Sequence, residues 1–448
     1  MRRTGILFCL VLLLNLAGYA QTVIDIDTAR LLGLTNSKDI AGSDASVRTA
    51  LLNERSQLYS MLPQVSAGYS ASANFLQSSE FVNPVDSFRA GVSLSLNYSI
   101  QTGGNDFISM SINKIKTDIE RINSLSTYYK VLESIDSAYY SVLRAAAAFE
   151  SAESSLRAAN LALEIATVRF NNGIINQIDY LEAQANRESS ENTYNQNRRS
   201  LTLSMITLKD LIGVQGDIIL EPVNFSIYDD VLRRLAVISN EEADVLYSSL
   251  WNAMLANNPS LKTAALNTQV AEMNYTNFFR SYAPTLSIGV NFGDILSYST
   301  NNGFSGPDKF NGSISLRGTI PIDFWNQSIK IENQKRTLDN SSNSFANTLN
   351  DSQKNLLSNL YDVLSQAGSV LSSRRSLEIA QNRYDYQMER YRLSQSSVKD
   401  VGDASISLMN SQNNLNNANY TFLQRLSTLR SLCALDDEER LINILLGR

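Results

Sequence analysis

The sequence predicts a mixed, mainly α-helical fold with transmembrane β-strands, built as two structural repeats that each supply two strands and long coiled-coil helices. Three observations predict it: unlike features recur in the same order in both halves, short runs alternate apolar and polar residues, and long proline-free stretches carry heptad spacing.

Residues 1–20 have the layout of a removable signal peptide. Arg2 and Arg3 precede the apolar run Ile6 to Leu14, and small Gly18 and Ala20 stand at the −3 and −1 positions of a cut after Ala20. Cys9 lies inside that run rather than at the cut, so a lipid-anchored amino terminus is not expected. Beyond residue 20 no stretch approaches the ~20 apolar residues that a transmembrane helix needs. The formal net charge of −6 argues against a nucleic-acid partner. The absence of histidine excludes histidine acid–base chemistry, triads that need histidine and ordinary His-ligated zinc. Past the signal peptide Cys433 is alone, which excludes an intrachain disulfide and a cysteine-only metal site. Neither a nucleophile–base pair nor a phosphate-cradling loop is present, so no enzyme and no cofactor are expected.

The duplication sets the boundaries. Asn36-Ser37-Lys38 pairs with Asn257-Asn258-Pro259, Leu62-Pro63-Gln64-Val65 with Ala283-Pro284-Thr285-Leu286, Arg169-Phe170 with Arg390-Tyr391, and Asp179 with Asp400. Leu201, Met205, Leu208 and Ile212 pair with Phe422, Leu426, Leu429 and Cys433, one helical stripe in two copies. The first repeat is therefore expected at 21–213, a linker at 214–245, the second repeat at 246–433 and a tail at 434–448. The seven prolines leave 85–221 and 322–448 free of proline, which reserves long uninterrupted helices for those stretches.

From Val65, the residues Ala67, Tyr69, Ala71 and Ala73 share one side of an alternation whose other side is Ser66, Gly68, Ser70 and Ser72. Phe88, Ala90, Val92, Leu94, Leu96, Tyr98 and Ile100 repeat the pattern, as do Leu286, Ile288, Val290 and Phe292, then Ile314 and Leu316. Strands are expected at about 64–77, 88–101, 285–298 and 310–323, joined by loops 79–87 and 300–309. A soluble antiparallel sheet gives the same alternation. The polar side here is almost entirely small Ser, Asn and Gly, as suits a wet lumen, and the rest of each repeat supplies helices rather than a second sheet. Four strands cannot close a membrane barrel, so other subunits must complete the sheet.

After the turns at Thr102-Gly103-Gly104-Asn105 and Phe324-Trp325-Asn326 come helical hairpins expected at about 104–212 and 327–433. Ile108, Ile112, Ile115, Ile119 and Ile122 step at heptad spacing, and Tyr129, Leu132, Tyr139 and Val142 continue the stripe. Each hairpin reverses at a short polar tip, Asn171-Asn172-Gly173-Ile174 in one repeat and Leu393-Ser394-Gln395-Ser396 in the other. Just past the tips lie Asp179, Asp400 and Asp403. An acid there stabilises a helix N-terminus, and repeated by rotation about a pore axis it would also form a carboxylate ring that attracts cations.

The paired Leu-Pro-Gln-Val and Ala-Pro-Thr-Leu, the Gln-Thr-Gly-Gly ending at Gly104, and Arg169-Phe170-Asn-Asn-Gly173 before Asp179-Tyr-Leu-Glu-Ala183 resemble the repeated signatures of the TolC-like outer-membrane efflux proteins. The resemblance implies a homotrimer with a twelve-stranded β-barrel in outer-membrane lipid, continuous with a periplasmic α-helical barrel, and an equatorial belt built partly from the linker and the tail. It implies docking on a periplasmic adaptor protein and, through it, on an inner-membrane pump or an ABC transporter of type I secretion. It also implies an outer-membrane location in a Gram-negative-type cell, reaching into the periplasm. Asp400-Val401-Gly402-Asp403 reproduces the family's Asp-x-x-Asp aperture, Asp179 and Tyr391 match its hairpin latch, and Asn172, Gly173, Ile174, Leu393 and Ser394 fall at the tip that meets the adaptor. Two positions depart from the pattern: Ser396 stands where the family has a basic residue, and Ser394 where it has a tip glycine.

The expected function is thus a passive exit duct of a tripartite efflux pump or type I secretion system, gated at the periplasmic tip. The rivals are a non-conducting coiled-coil envelope protein, expected to show a single uninterrupted heptad array, and the periplasmic adaptor itself, expected to show one hairpin flanked by small β-domains.

Overall fold

A computed structural model describes residues 22–74, 87–280, 282–299, 303–305, 311–320, 322, 324–393 and 395–447. The signal peptide, the expected strand residues 75–77, 310, 321 and 323, most of both strand loops, and Ser394 lie outside that set. The first half runs β1 (Thr22–Ile24), α1 (Ile26–Asn36), α2 (Lys38–Ser60), β2 (Gln64–Asn74), β3 (Ser87–Gln101), α3 (Asn105–Asn171) and α4 (Gln177–Ile212). After β4 (Ile218–Leu220), a 3-10 turn at Phe225–Tyr228 and α5 (Asp229–Ala236), the second half follows. It comprises α6 (Asn240–Asn257), α7 (Pro259–Arg280), β5 (Thr285–Ser299), β6 (Gly303–Ser305), β7 (Asn311–Thr319), α8 (Phe324–Arg392), α9 (Val398–Leu432) and α10 (Glu438–Leu446). No described helix is long and apolar enough to cross a membrane.

The chain forms two compact units, one of Ser43–Ser124 with Ser260–Leu349 and one of the remainder. The first of these holds an antiparallel sheet. β2 pairs β3, β3 pairs β5 from the other half of the chain, and β6 and β7 both pair β5 along the same edge. The loop expected at 300–309 is therefore partly strand, because β6 continues the track of β7 opposite the end of β5. Register keeps the two faces distinct over most of the sheet, with Asp294 falling on the apolar side and Ile295 on the polar side. Val65, Leu96 and Val290 align on one face, whereas Ser66, Ser95 and Asn291 align on the other. The apolar face is uncovered within the chain: Tyr69 is 91% exposed, Ile314 81% and Leu316 66%. Each track starts or ends at a sequence punctuation. Pro63 and Pro284 precede β2 and β5, and Gly103 (φ +66°) turns β3 into α3 where a Cβ would fall 2.6 Å from that of Ala283.

Two expectations about helices need correction. Long helices are not confined to the two proline-free stretches, since α2 covers 23 residues before Pro63 and α7 covers 22, starting at Pro259. Proline fits there because a first helical residue has no intrahelical use for its N–H. Phe324-Trp325-Asn326 are not a turn but the first residues of α8.

The other unit is helical, and α3 and α8 contribute residues to both units. On α3, Tyr129, Leu132, Tyr139 and Val142 are buried, and on α8 Leu356, Leu360, Val363, Ala367 and Val370 are fully buried at alternating four- and three-residue steps. The linker is structured: β4 pairs β1 in parallel, and Tyr139 Oη donates to the carbonyls of Ile24 and Glu221 on either side. The tail packs on it, with Tyr228 Oη donating to Glu438 Oε1 at 2.6 Å and Arg234 donating to the Leu446 carbonyl.

An ion cluster sits in this unit. Fully buried Asp136 of α3 accepts from Arg30 Nε at 2.6 Å and Nη2 at 3.0 Å, from Arg430 Nη2 at 2.8 Å and from Ser427 Oγ at 2.6 Å. Glu438 lies 3.5 Å from Arg30 and 3.8 Å from Arg430.

Candidate functional site

The two hairpin tips meet in the helical unit. In the first, α3 ends with Gly173 at φ +71°, which lets Ile174 N–H donate back to the Arg169 carbonyl at 2.8 Å and Gly173 N–H to that of Phe170 at 2.9 Å. Asn176 then caps α4 by accepting from the Asp179 N–H at 2.9 Å. In the second tip Gln395 N–H donates to the Arg390 carbonyl at 2.8 Å, the counterpart of the Ile174 bond, and Ser397 caps α9.

Asp400 closes that cap. Its Oδ2 accepts from Ser397 N–H at 3.0 Å, Ser397 Oγ at 2.8 Å and Ser396 Oγ at 3.1 Å. These bonds, the Ser397 backbone one foremost, hold its carboxyl below the ordinary carboxylate range. Ser396 also donates to Gln387 Oε1 at 2.9 Å. It therefore fastens the tip to its own helix. Asp403 is exposed and, among the described residues, has no hydrogen-bond partner.

An apolar cluster clamps the hairpins: Ala166 and Ala183 of the first against Met388, Tyr391, Val398 and Val401 of the second. Asn172, Gly173, Ile174 and Leu393 stay exposed beyond it. Arg169 crosses the clamp, its Nη2 donating to the Tyr391 carbonyl at 2.7 Å and its Cζ standing 4.3 Å from the ring centroid. The Tyr391 hydroxyl is buried and, among the described residues, has no hydrogen-bond partner, Asp179 included. Its pKa is raised by burial, against the pull of Arg169, with Asp179 adding to the rise.

Between the two hairpins of the chain, Arg169 makes the polar link, through the Tyr391 carbonyl and ring. Sequence reasoning had Arg169 in view only as a signature; its recurrence as Arg390 was the available signal. Arg169→Ala should expose the segment 171–176 to protease about tenfold faster, from the loss of a charged hydrogen bond and a cation–π contact. Tyr391→Phe should leave the cleavage rate within about twofold, since no hydrogen bond is lost.

This fold is that of solved outer-membrane channels. The chain is similar to the CmeC outer membrane channel of Campylobacter jejuni, with 16% identity, a TM-score of 0.73, and 93% of this chain and 88% of that one covered. It is similar to CusC, with 16% identity, a TM-score of 0.74, and 93% and 94% covered. The open-state MtrE channel of Neisseria gonorrhoeae gives 14% identity, a TM-score of 0.67, and 91% and 88% covered. The family is set by sequence: the outer membrane efflux protein model matches residues 32–214 and 250–434, and the chain belongs to that family. The family comprises passive channels, and the chain is not an enzyme. No curated protein sequence matches it.

Proposed function

We propose that the chain is the outer-membrane exit duct of a tripartite efflux pump or type I secretion system. Three copies join their sheets into a twelve-stranded barrel, and their hairpins form a periplasmic tube that closes at the tips. The sheet carries this reading: four antiparallel tracks have one apolar face uncovered and open edges at β2 and β7. Open edges in lipid leave backbone groups unsatisfied at several kcal/mol each, so neighbouring copies must pair with them.

At the tip, Asp403 from each copy supplies the aperture charge, and Asp400 chiefly holds the geometry of its own cap. The exposed residues Asn172, Gly173, Ile174 and Leu393, together with Ser394, offer the surface for a periplasmic adaptor, through which the duct meets an inner-membrane pump. Mass determination in detergent tests the assembly. Three chains per particle is the expected result, and a stable monomer would overturn the reading.

A further inference from the structure

The sheet's polar face is charged, and with one sign. Arg89 stands in register between Ser72 of β2 and Ser297 of β5, and Arg317 of β7 stands opposite Ser287 of β5. Both share the face of Ser66, Ser95 and Asn291, and both are exposed. Among the described residues that face carries no carboxylate and neither arginine has an ion-pair partner. Asp294, the sheet's one described acid, is in register with Val92 and so belongs to the apolar face. Ser287 and Ser297 are ten residues apart on β5, or roughly 33 Å along the strand, so the two arginines lie towards opposite ends of the sheet.

We propose that the barrel lumen is an anion-attracting exit, with one arginine ring near each rim, and that it favours anionic cargo, meaning solutes bearing carboxylate, phosphate or sulfonate groups. This rests on the proposed trimeric duct. In that assembly the polar face turns inward, rotation repeats each arginine three times, and a ring of like charge around a water-filled pore favours ions of the other sign. The small neighbours leave the guanidiniums free to reach into the lumen.

The test is the chloride-to-potassium permeability ratio of the purified full-length protein in a planar bilayer under a KCl gradient. Arg89→Ser with Arg317→Ser should lower the ratio by about threefold at low salt, and by less at 1 M where the screening length is about 3 Å. Arg89→Lys with Arg317→Lys, which keeps the charges, should retain the wild-type ratio. A conducting serine variant with an unchanged ratio overturns the anion exit and leaves the duct standing. A wild-type trimer that conducts nothing overturns both.

Discussion

Replacing Asp136 by alanine should cost about 3–5 kcal/mol of stability, the largest effect expected of any single change outside the sheet. The substitution removes the acceptor of four hydrogen bonds and leaves buried Arg430 with Glu438 at 3.8 Å and part-buried Arg30 with Glu438 at 3.5 Å and Asp27 at 2.9 Å. The cluster ties α1, α3 and α9 together, so its loss should loosen all three at once. Asp136→Asn should cost less, because its amide oxygen can still accept the three bonds made at Oδ2, although its NH2 then opposes the Arg30 Nε–H. Thermal unfolding in detergent checks this, and an alanine variant melting within about one degree of wild type would contradict the account.

Removing the tip charge should give the second large effect. Asp403→Ala should raise closed-state conductance at least about twofold and shift permeability towards anions, since a carboxylate ring both narrows the mouth and attracts cations. Asp400→Ala should act differently: it also deletes the partner of Ser396 and Ser397, so the first turn of α9 frays and conductance becomes noisy. The shift from Asp403→Ala is opposite in sign to that from the arginine-to-serine change in the barrel, which separates the two charge rings in one assay. Equal traces from wild type and Asp403→Ala would remove Asp403 from the aperture.

The strands were legible because a half-buried strand prints its period of two on the chain, and prolines 63 and 284 mark where two of them begin. The hairpin reversals were legible at Asn172-Gly173 for a similar local reason, since a left-handed residue is required there. Helices α2 and α7 left a weaker mark: α2 buries no side chain within the chain, so no apolar stripe announces it. The Asp136 cluster could not be read at all. Arg30 and Arg430 come from positions far along the chain in either direction, and an aspartate in a long helix looks the same whether it meets solvent or two guanidiniums. The departure at Ser396 gave no hint of its local role, in which its hydroxyl bonds to Gln387 and Asp400 and fastens the second tip.

The central claim, that this chain is a duct, is tested most directly by single-channel recording of the purified mature protein in a planar bilayer. The account predicts discrete openings from a trimeric particle. A protein that inserts and conducts nothing would contradict it and leave a structural envelope stalk as the better description.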